Sequence, residues 1–205
     1  MGLIHTPRVL YSIAKGAIKN WRNGPSNIGI GAANPHVYTS RVDLFDFDLF
    51  GHLNNAAYLT HAERARWQLS AENGTLASFV RNKAGYVLTS CSLRFRQELG
   101  VFRKFEVHSA FVAMDDRHVW KTHTFRHADP NDNKIRAQVI AKGAFIKRGK
   151  VVDPRQFLVE DCQMDQELIN SMLLTDVDSL EQDEILALSR LEESQRAIAA
   201  ADDAR

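Results

Sequence analysis

Apolar residues change period along the chain, and each change marks an element. In PRVLYSIAKGAIKNWR (7–22), Val9, Leu10, Ile13, Ala14, Ala17, Ile18 and Trp21 recur at steps of three and four. Arg8, Lys15, Lys19 and Arg22 fall largely elsewhere on the wheel, so the spacing predicts an amphipathic basic helix with Pro7 at its start. Asn23-Gly24-Pro25-Ser26 stops it, and a Gly/Asn-rich linker runs to about Pro35. HVYTSRVDLF (36–45) has the β-branched and aromatic content of a strand. NNAAYLTHAERARWQLSAENG (54–74) returns to helical period, with Tyr58, Leu59, Ala62, Ala65, Arg66 and Leu69 on the spacing. Asn54 or Asn55 can cap this helix, and Gly74 can end it in the left-handed conformation. TLASFVRNK (75–83) predicts a short second helix.

Four strands are expected next, at 86–99, 102–114, 117–127 and 134–148. Phe105, Val107, Ser109, Phe111 and Ala113 show period two. Asp115-Asp116 and the run Asp129 to Asn133 make turns between neighbours, so the connections are short and the sheet antiparallel. An antiparallel sheet of about five strands wrapped on one long helix is an α+β architecture. A last segment begins near Asp153-Pro154. There Ser179 to Gln182 has capping-box spacing, and Ile185, Leu186, Leu188 and Leu191 predict a helix before a fraying Ala197–Arg205 end.

The 205 residues suffice for one domain with a real core plus appendages. Charge divides the chain further. Residues 1–42 hold five basic and no acidic residues, a net of +5; residues 43–155 hold eighteen basic and twelve acidic, a net of +6. Residues 156–205 hold three basic and thirteen acidic, a net of −10, and the whole is +1. The expected division is a basic helix and linker (1–34), a central domain (35–155) and an acidic helical extension (156–205). The small total gives no argument for nucleic acid. Cys91 and Cys162 form no framework, which fits a reducing compartment. No apolar run approaches the roughly 20 residues of a spanning helix.

DFDLFGHLNNAAY (46–58) holds the chemistry. By residue type, Asp46 suits a turn or cap, and Asn54 and Asn55 are good caps. His52 is an acid or base by type, or packs and hydrogen-bonds the loop. Tyr58 and Trp67 suit core or pocket wall, and Glu63 an ion pair with Arg64 or Arg66. His118, His123 and His127 lie on or beside one strand, but no carboxylate or cysteine stands at ligand spacing with them, so no metal is expected. G-x-S-x-G, P-loop and G-x-G-x-x-G patterns are missing from the sequence.

The stretch resembles the signature D-x-D-x-x-G-H-x-N-N-x-x-Y of hotdog-fold acyl-CoA thioesterases of the 4-hydroxybenzoyl-CoA thioesterase class. Here it is carried by Asp46, Asp48, Gly51, His52, Asn54, Asn55 and Tyr58. The resemblance covers about residues 36–155. SLRFRQELGVFRKFEV, AMDDRHVWKTHTF and VVDP are similar to a eukaryotic subgroup that includes thioesterase superfamily member six. The resemblance implies a hotdog fold and gives Asp48 the role of nucleophile, or of base for water, at a thioester carbonyl carbon. A thioester hydrolase must also stabilise an oxyanion, and the start of a long helix offers unpaired N–H groups at a positive dipole end. The backbone N–H of Asn55 is placed for that, and Gly51 lets the loop turn closely. The expected site is therefore catalytic Asp48, Gly51, His52 and Asn55, with Asn54, Tyr58, Arg94 and Arg96 binding substrate. Arg94, Arg96, Arg103, Lys104, Lys147, Arg148 and Lys150 at strand ends suit coenzyme A phosphates; a solvated basic face is the alternative reading.

Acyl-CoA hydrolysis to free acid and CoA is the first expectation, with no cofactor beyond the CoA of the substrate and with a homodimer or hotdog heterodimer. The second is a silent hotdog subunit docked as a scaffold or binding component in a larger, mitochondrial membrane complex. The 7–22 helix suits a presequence, a membrane-surface helix or a docking element, and Met1-Gly2 matches the myristoylation pattern. An intracellular, mitochondrial and membrane-associated location is expected.

Overall fold

A computed structural model describes residues 2–24, 26–132, 134–173, 183 and 185–194, with side chains from His5 onward. The chain divides into two compact units, 1–173 and 174–205. In the second, residues 185–194 are helical, as the spacing of Ile185, Leu186, Leu188 and Leu191 predicts. The Ser179–Gln182 capping box and the Ala197–Arg205 end lie outside the described residues.

The first unit opens with α1 (Gly2–Asn23), followed by β1 (His36–Arg41), α2 (Asn55–Glu72) and α3 (Thr75–Asn82). Then come β2 (Ala84–Phe95), β3 (Lys104–Met114), β4 (Val119–His127), β5 (Ile135–Lys147) and β6 (Lys150–Val152). The sheet is antiparallel throughout, in the order β1-β3-β4-β5-β2, with β6 paired to the end of β5. β1 and β2 are thus opposite edges, and the chain crosses from one to the other through α2 and α3. This is the hotdog arrangement that the resemblance implies.

Several boundaries shift for local reasons. Pro7 lies inside α1 rather than at its start, because the helix already begins at Gly2. β1 ends at Arg41, where Val42 turns to bond Arg103 and Phe102. β6 was not expected. It forms because Arg148 (φ 52°) and Gly149 (φ 79°) make a two-residue hairpin turn with both residues left-handed.

α2 is capped as its sequence predicts. Asn54 Oδ1 accepts the Ala56 N–H at 2.9 Å, and Gly74 takes φ 86° past the other end. Its N-terminal half buries Ala57, Tyr58, Ala62 and Ala65 against Phe105, Val107, Phe125 and Val139 of the sheet. Its C-terminal half buries Leu69 against Phe111, Phe145 and Val119. Residues 154–173 complete that second half: α4 (Pro154–Gln156) runs into a π-helical turn (Phe157–Asp161), and α5 (Gln166–Asn170) follows. Phe157, Leu158, Met164, Ile169 and Met172 are all buried there.

α1 docks through a face turned away from most of its apolar stripe, with only Val9 and Ile13 of that stripe half-buried at the contact. Ser12 and Gly16 are buried, while Leu10, Tyr11, Ile18 and Trp21 are 55–84% exposed. A Cβ on Gly16 would stand 2.3 Å from Gln68 O, so the two helices cross at a bare backbone. Polar groups hold the crossing. Arg8 Nη2 bonds Asp43 Oδ2 at 2.7 Å, His5 Nε2 meets Glu63 at 3.0 Å, and Lys19 bonds Glu72 at 3.0 Å. Asn20 Nδ2 donates to Glu72 O at 2.8 Å.

Candidate functional site

The loop between β1 and α2 closes on itself. The Asp48 N–H donates to His52 O at 2.9 Å, and the Gly51 N–H to Asp48 O at 3.0 Å. Gly51 sits at φ 75°, left-handed backbone that glycine takes without strain. The loop is stapled to the β2–β3 connection by Leu53 N–H to Leu99 O (2.7 Å), Val101 N–H to Gly51 O (2.8 Å) and Phe102 N–H to Val42 O (2.9 Å). Leu49 and Phe50 stand exposed at its tip.

The two acids divide the work differently from their residue types. Asp48 carries the local turn chemistry expected of Asp46: its Oδ1 accepts the Phe50 N–H at 2.9 Å and the His52 N–H at 3.3 Å. Asp46 is 5% exposed, and its carboxylate reaches across the fold. Oδ2 accepts from His61 Nε2 at 2.9 Å and Oδ1 from Arg8 Nη1 at 3.2 Å, with Arg64 Nη2 3.7 Å away. One buried carboxylate thus joins α1, the loop and α2. Burial by itself pushes the Asp46 carboxyl up, but the His61 hydrogen bond and the charges around it outweigh that and hold it below the usual range. Burial pushes His61 down, against the pull of Asp46. Arg64 Nη1 then meets its Nδ1 at 3.5 Å.

The start of α2 lies at the end of this loop. Asn54 takes the Ala56 N–H on its side chain and the Ala57 N–H on its carbonyl, both at 2.9 Å. Among the described residues no acceptor is bonded to the Asn55 N–H. It is an open donor at the positive end of an 18-residue helix.

Beside it is a cavity of about 610 Å³ between α2 and the sheet, bounded by Phe45, Asn54, Ala57, Leu88, His123 and Val139 among others. That volume is in the range of small-molecule sites. Of the expected residues, Asn54 borders it. Asp48, Gly51 and His52 stay in the half-buried loop and Asn55 on the exposed helix start. Tyr58 is 2% exposed, its ring edge-on to Phe95 and Phe125 at 5.3 and 5.0 Å. Burial pushes its hydroxyl up to about 12, so within this chain it is core rather than cavity wall. Arg94 and Arg96 are exposed at the end of β2, away from the cavity. Of the other basic residues, Lys147 is paired with Asp161 at 2.7 Å. Glu63 is not paired with Arg64 or Arg66 as expected; it meets His5, and Trp67 Nε1 donates to it at 3.4 Å. Arg64 turns to Asp46 because the buried carboxylate lies on the inner side of the helix.

Two polar residues on the inner face of β4 had no place in the expected site. His123 is fully buried and borders the cavity; its Nδ1 is 2.8 Å from Ser109 Oγ, and its Nε2 has no partner. Lys121, two residues earlier, is 1% exposed. The signal was in the sequence: 119, 121, 123 and 125 share one face of a strand, and Val119 and Phe125 mark that face as the core. Among the described residues no group of three or more His, Cys, Asp or Glu is arranged to hold a metal ion.

A family model described as the thioesterase-like superfamily matches residues 42–164. The chain is similar to Protein THEM6 of Xenopus laevis, 28% identical over 40% of each chain. It is similar to Protein THEM6 of Danio rerio, 28% identical over 62% of each. The matched stretch therefore spans less than two thirds of these relatives. Among solved structures, the probable thioesterase YbaW of Escherichia coli superposes with a TM-score of 0.57 at 16% identity, over 65% of this chain and 98% of that one. Slr0204 of Synechocystis, a 1,4-dihydroxy-2-naphthoyl-CoA thioesterase, superposes with a TM-score of 0.54 at 15% identity, over 64% and 98%. At such identities these structures establish the fold.

Proposed function

Because the chain belongs to the thioesterase-like superfamily, we propose that it hydrolyses an acyl-CoA thioester to the free acid and coenzyme A. The observation that carries this reading is the unpartnered Asn55 N–H at the positive end of α2, next to the Asp48 loop and a cavity whose wall combines apolar side chains such as Phe45, Leu88 and Val139 with the charged groups Arg8, Asp46, Glu63, Arg64 and Arg66. In the proposed reaction the thioester oxygen accepts from that N–H. Negative charge then develops on the oxygen where a fixed donor and the helix dipole meet it. Asp48 either attacks the carbonyl carbon or takes a proton from the attacking water. In the first case the C–S bond breaks, CoA leaves as the thiolate and water then hydrolyses the acyl–aspartyl anhydride. In the second, collapse of the tetrahedral intermediate breaks the C–S bond and the proton passes to the departing thiolate. Asp48 Oδ1 is occupied by the turn, which leaves Oδ2 for the chemistry and holds the carboxylate at a fixed angle. The acyl group occupies the cavity, and no cofactor is required.

A second subunit belongs to this reading. β2 is a twelve-residue edge strand with Val87, Leu88 and Phe95 exposed, and such an edge is suited to pairing with a second hotdog chain. Arg94 and Arg96 lie at that edge, so in the proposed dimer they serve the partner's CoA phosphates rather than their own cavity. The outward stripe of α1, Leu10, Tyr11, Ile18 and Trp21 with Lys15 and Arg22 beside it, supports docking on an anionic membrane surface, and we propose an intracellular, mitochondrial location for it. Among the described residues no helix is long and apolar enough to cross a membrane.

Asp48→Asn keeps an acceptor for both turn N–H groups, so we expect an unchanged fold with hydrolysis of acyl-CoA substrates abolished across a chain-length series. Unaltered turnover would sink the assignment. One observation favours the silent-subunit reading: the turn that Asp48 builds gives the residue a structural use without any chemistry. Failure of wild type to hydrolyse any acyl-CoA, together with stable co-purification of other chains, is the outcome that selects it. Binding to vesicles containing anionic lipid is expected to fall for Trp21→Ser with Ile18→Ser at unchanged melting temperature; equal binding refutes the membrane face.

A further inference from the structure

A second cavity, of about 330 Å³, opens where α2, α3 and the start of β2 meet, and its polar content has no counterpart in the proposed reaction. Its floor is Lys121. Its Nζ lies 4.0 Å from the centre of the Tyr86 ring and 4.2 Å from that of Phe111. Among the described residues Lys121 Nζ makes no hydrogen bond and has no carboxylate partner. The Tyr86 hydroxyl is also buried and unpartnered. The ring reaches this place because β5 is bare beneath it: a Cβ on Gly143 would stand 2.3 Å from Tyr86 Cζ and 2.4 Å from the hydroxyl.

Buried polar groups are ordinarily satisfied, and two unsatisfied donors beside one cavity call for a common acceptor. The charges facing Lys121 are all of one sign or neutral. α2 contributes Arg66, whose guanidinium lies 5.6 Å from the Tyr86 ring; β2 contributes the phenol; β4 itself contributes His123. The missing partner is thus an anion. Trp67, Leu76, Phe79, Val80 and Leu88 make most of the remaining wall apolar, with Ser70 the one further polar side chain, which suits a monoanion with a hydrocarbon body better than a strongly hydrated phosphate.

We propose that this cavity is a binding site for a small carboxylic acid, its carboxylate accepting from Lys121 Nζ and the Tyr86 hydroxyl and its apolar body lying against α3. Asp48 and Asn55 do not border the cavity, so the site stands whether or not the chain hydrolyses thioesters. Free acid is also the class of product that the proposed hydrolysis would release, and Arg66 and Leu88 border both cavities.

Burial holds the unliganded Lys121 amine well below its ordinary value, and Arg66 adds to that. A carboxylate arriving beside it restores the ammonium form. Calorimetric titration of the full chain at pH 8 with octanoate, benzoate and 1-octanol, in two buffers of different ionisation heat, reads both binding and proton uptake. The expected result is that at least one carboxylate binds, with net uptake of up to about one proton per site, and that octanol binds at least about tenfold more weakly. Lys121→Met should remove the proton uptake and weaken carboxylate binding by at least about tenfold; Tyr86→Phe should weaken it by about tenfold with the uptake retained. Met is close to Lys in volume and leaves no charge in the core, so that variant is expected to fold. Should it not, the wild-type proton uptake and Tyr86→Phe decide. Silence toward both carboxylates, equal affinity for octanol, or unchanged affinity in both variants overturns the site.

Discussion

Replacing Asp46 by Ala tests the buried cluster that holds the loop, α1 and α2 together. The substitution removes the acceptor of His61 Nε2 at 2.9 Å and of Arg8 Nη1 at 3.2 Å, and leaves Arg64, 5% exposed, without an anion beside it. The Arg8 pair is partly solvated and contributes little, on the order of 0.5 kcal/mol. The larger part is the stranded buried charge, and breaking such a pair by removing one partner costs about 3–5 kcal/mol. In a chain of this length each kcal/mol shifts the melting temperature by about 2–4 °C, so a drop of about 6–20 °C is expected. Urea denaturation followed by far-UV dichroism gives the free energy directly. Asp46→Asn, which keeps an oxygen for His61, should lose less. Adding Arg64→Leu to Asp46→Ala should recover part of the loss, because the stranded charge goes too. A loss under about 1 kcal/mol for Asp46→Ala, with no recovery in the double variant, would show that the cluster behaves as solvated surface charge and would refute the reasoning.

Gly16→Val puts side-chain atoms where even a Cβ meets Gln68 O at 2.3 Å and Ala71 Cβ at 2.8 Å. It should cost about 1–3 kcal/mol and expose α1 to limited proteolysis at a lower protease concentration; unchanged protection would place the α1–α2 crossing elsewhere. Stability should also fall on acidification. The His61 and His123 rings are both held below the ordinary histidine value, chiefly by burial, so below about pH 6.5 the unfolded chain takes protons that the folded one refuses. Asp46, held below its ordinary value, adds a loss that begins near about pH 4 as the unfolded carboxyl protonates. A urea midpoint that stays constant from pH 8 to pH 5 would contradict this.

Much of this molecule could be read from local pattern. Period two in β3, the helical period and Asn54 cap of α2, and the turn residues between β3, β4 and β5 each act within a few residues, so the order of elements and the α+β class follow from the chain alone. The stretch from Asp46 to Tyr58 was legible for the same reason: its turn, its glycine and its helix cap are all short-range. What local pattern could not reveal was which partner each side chain finds. Asp46 and Asp48 are the same residue type in the same loop, but one is buried against His61 and Arg64 and the other closes a turn, a difference made by residues fifteen or more positions away. The apolar stripe of α1 suggested its buried face, yet the helix docks through Ser12 and Gly16, because the facing surface of α2 offers Glu63, Glu72 and a close backbone rather than a groove. Lys121 and His123 take core positions that their chemistry argues against, and only the packing of α2 and β2 over β4 shows that they face cavities. Sequence by itself determined the main elements, their order and the turn, glycine and helix cap of the 46–58 loop. Tertiary structure decided which charges are buried, which face of α1 is left open and where a ligand has room, since those depend on contacts between segments far apart in the chain.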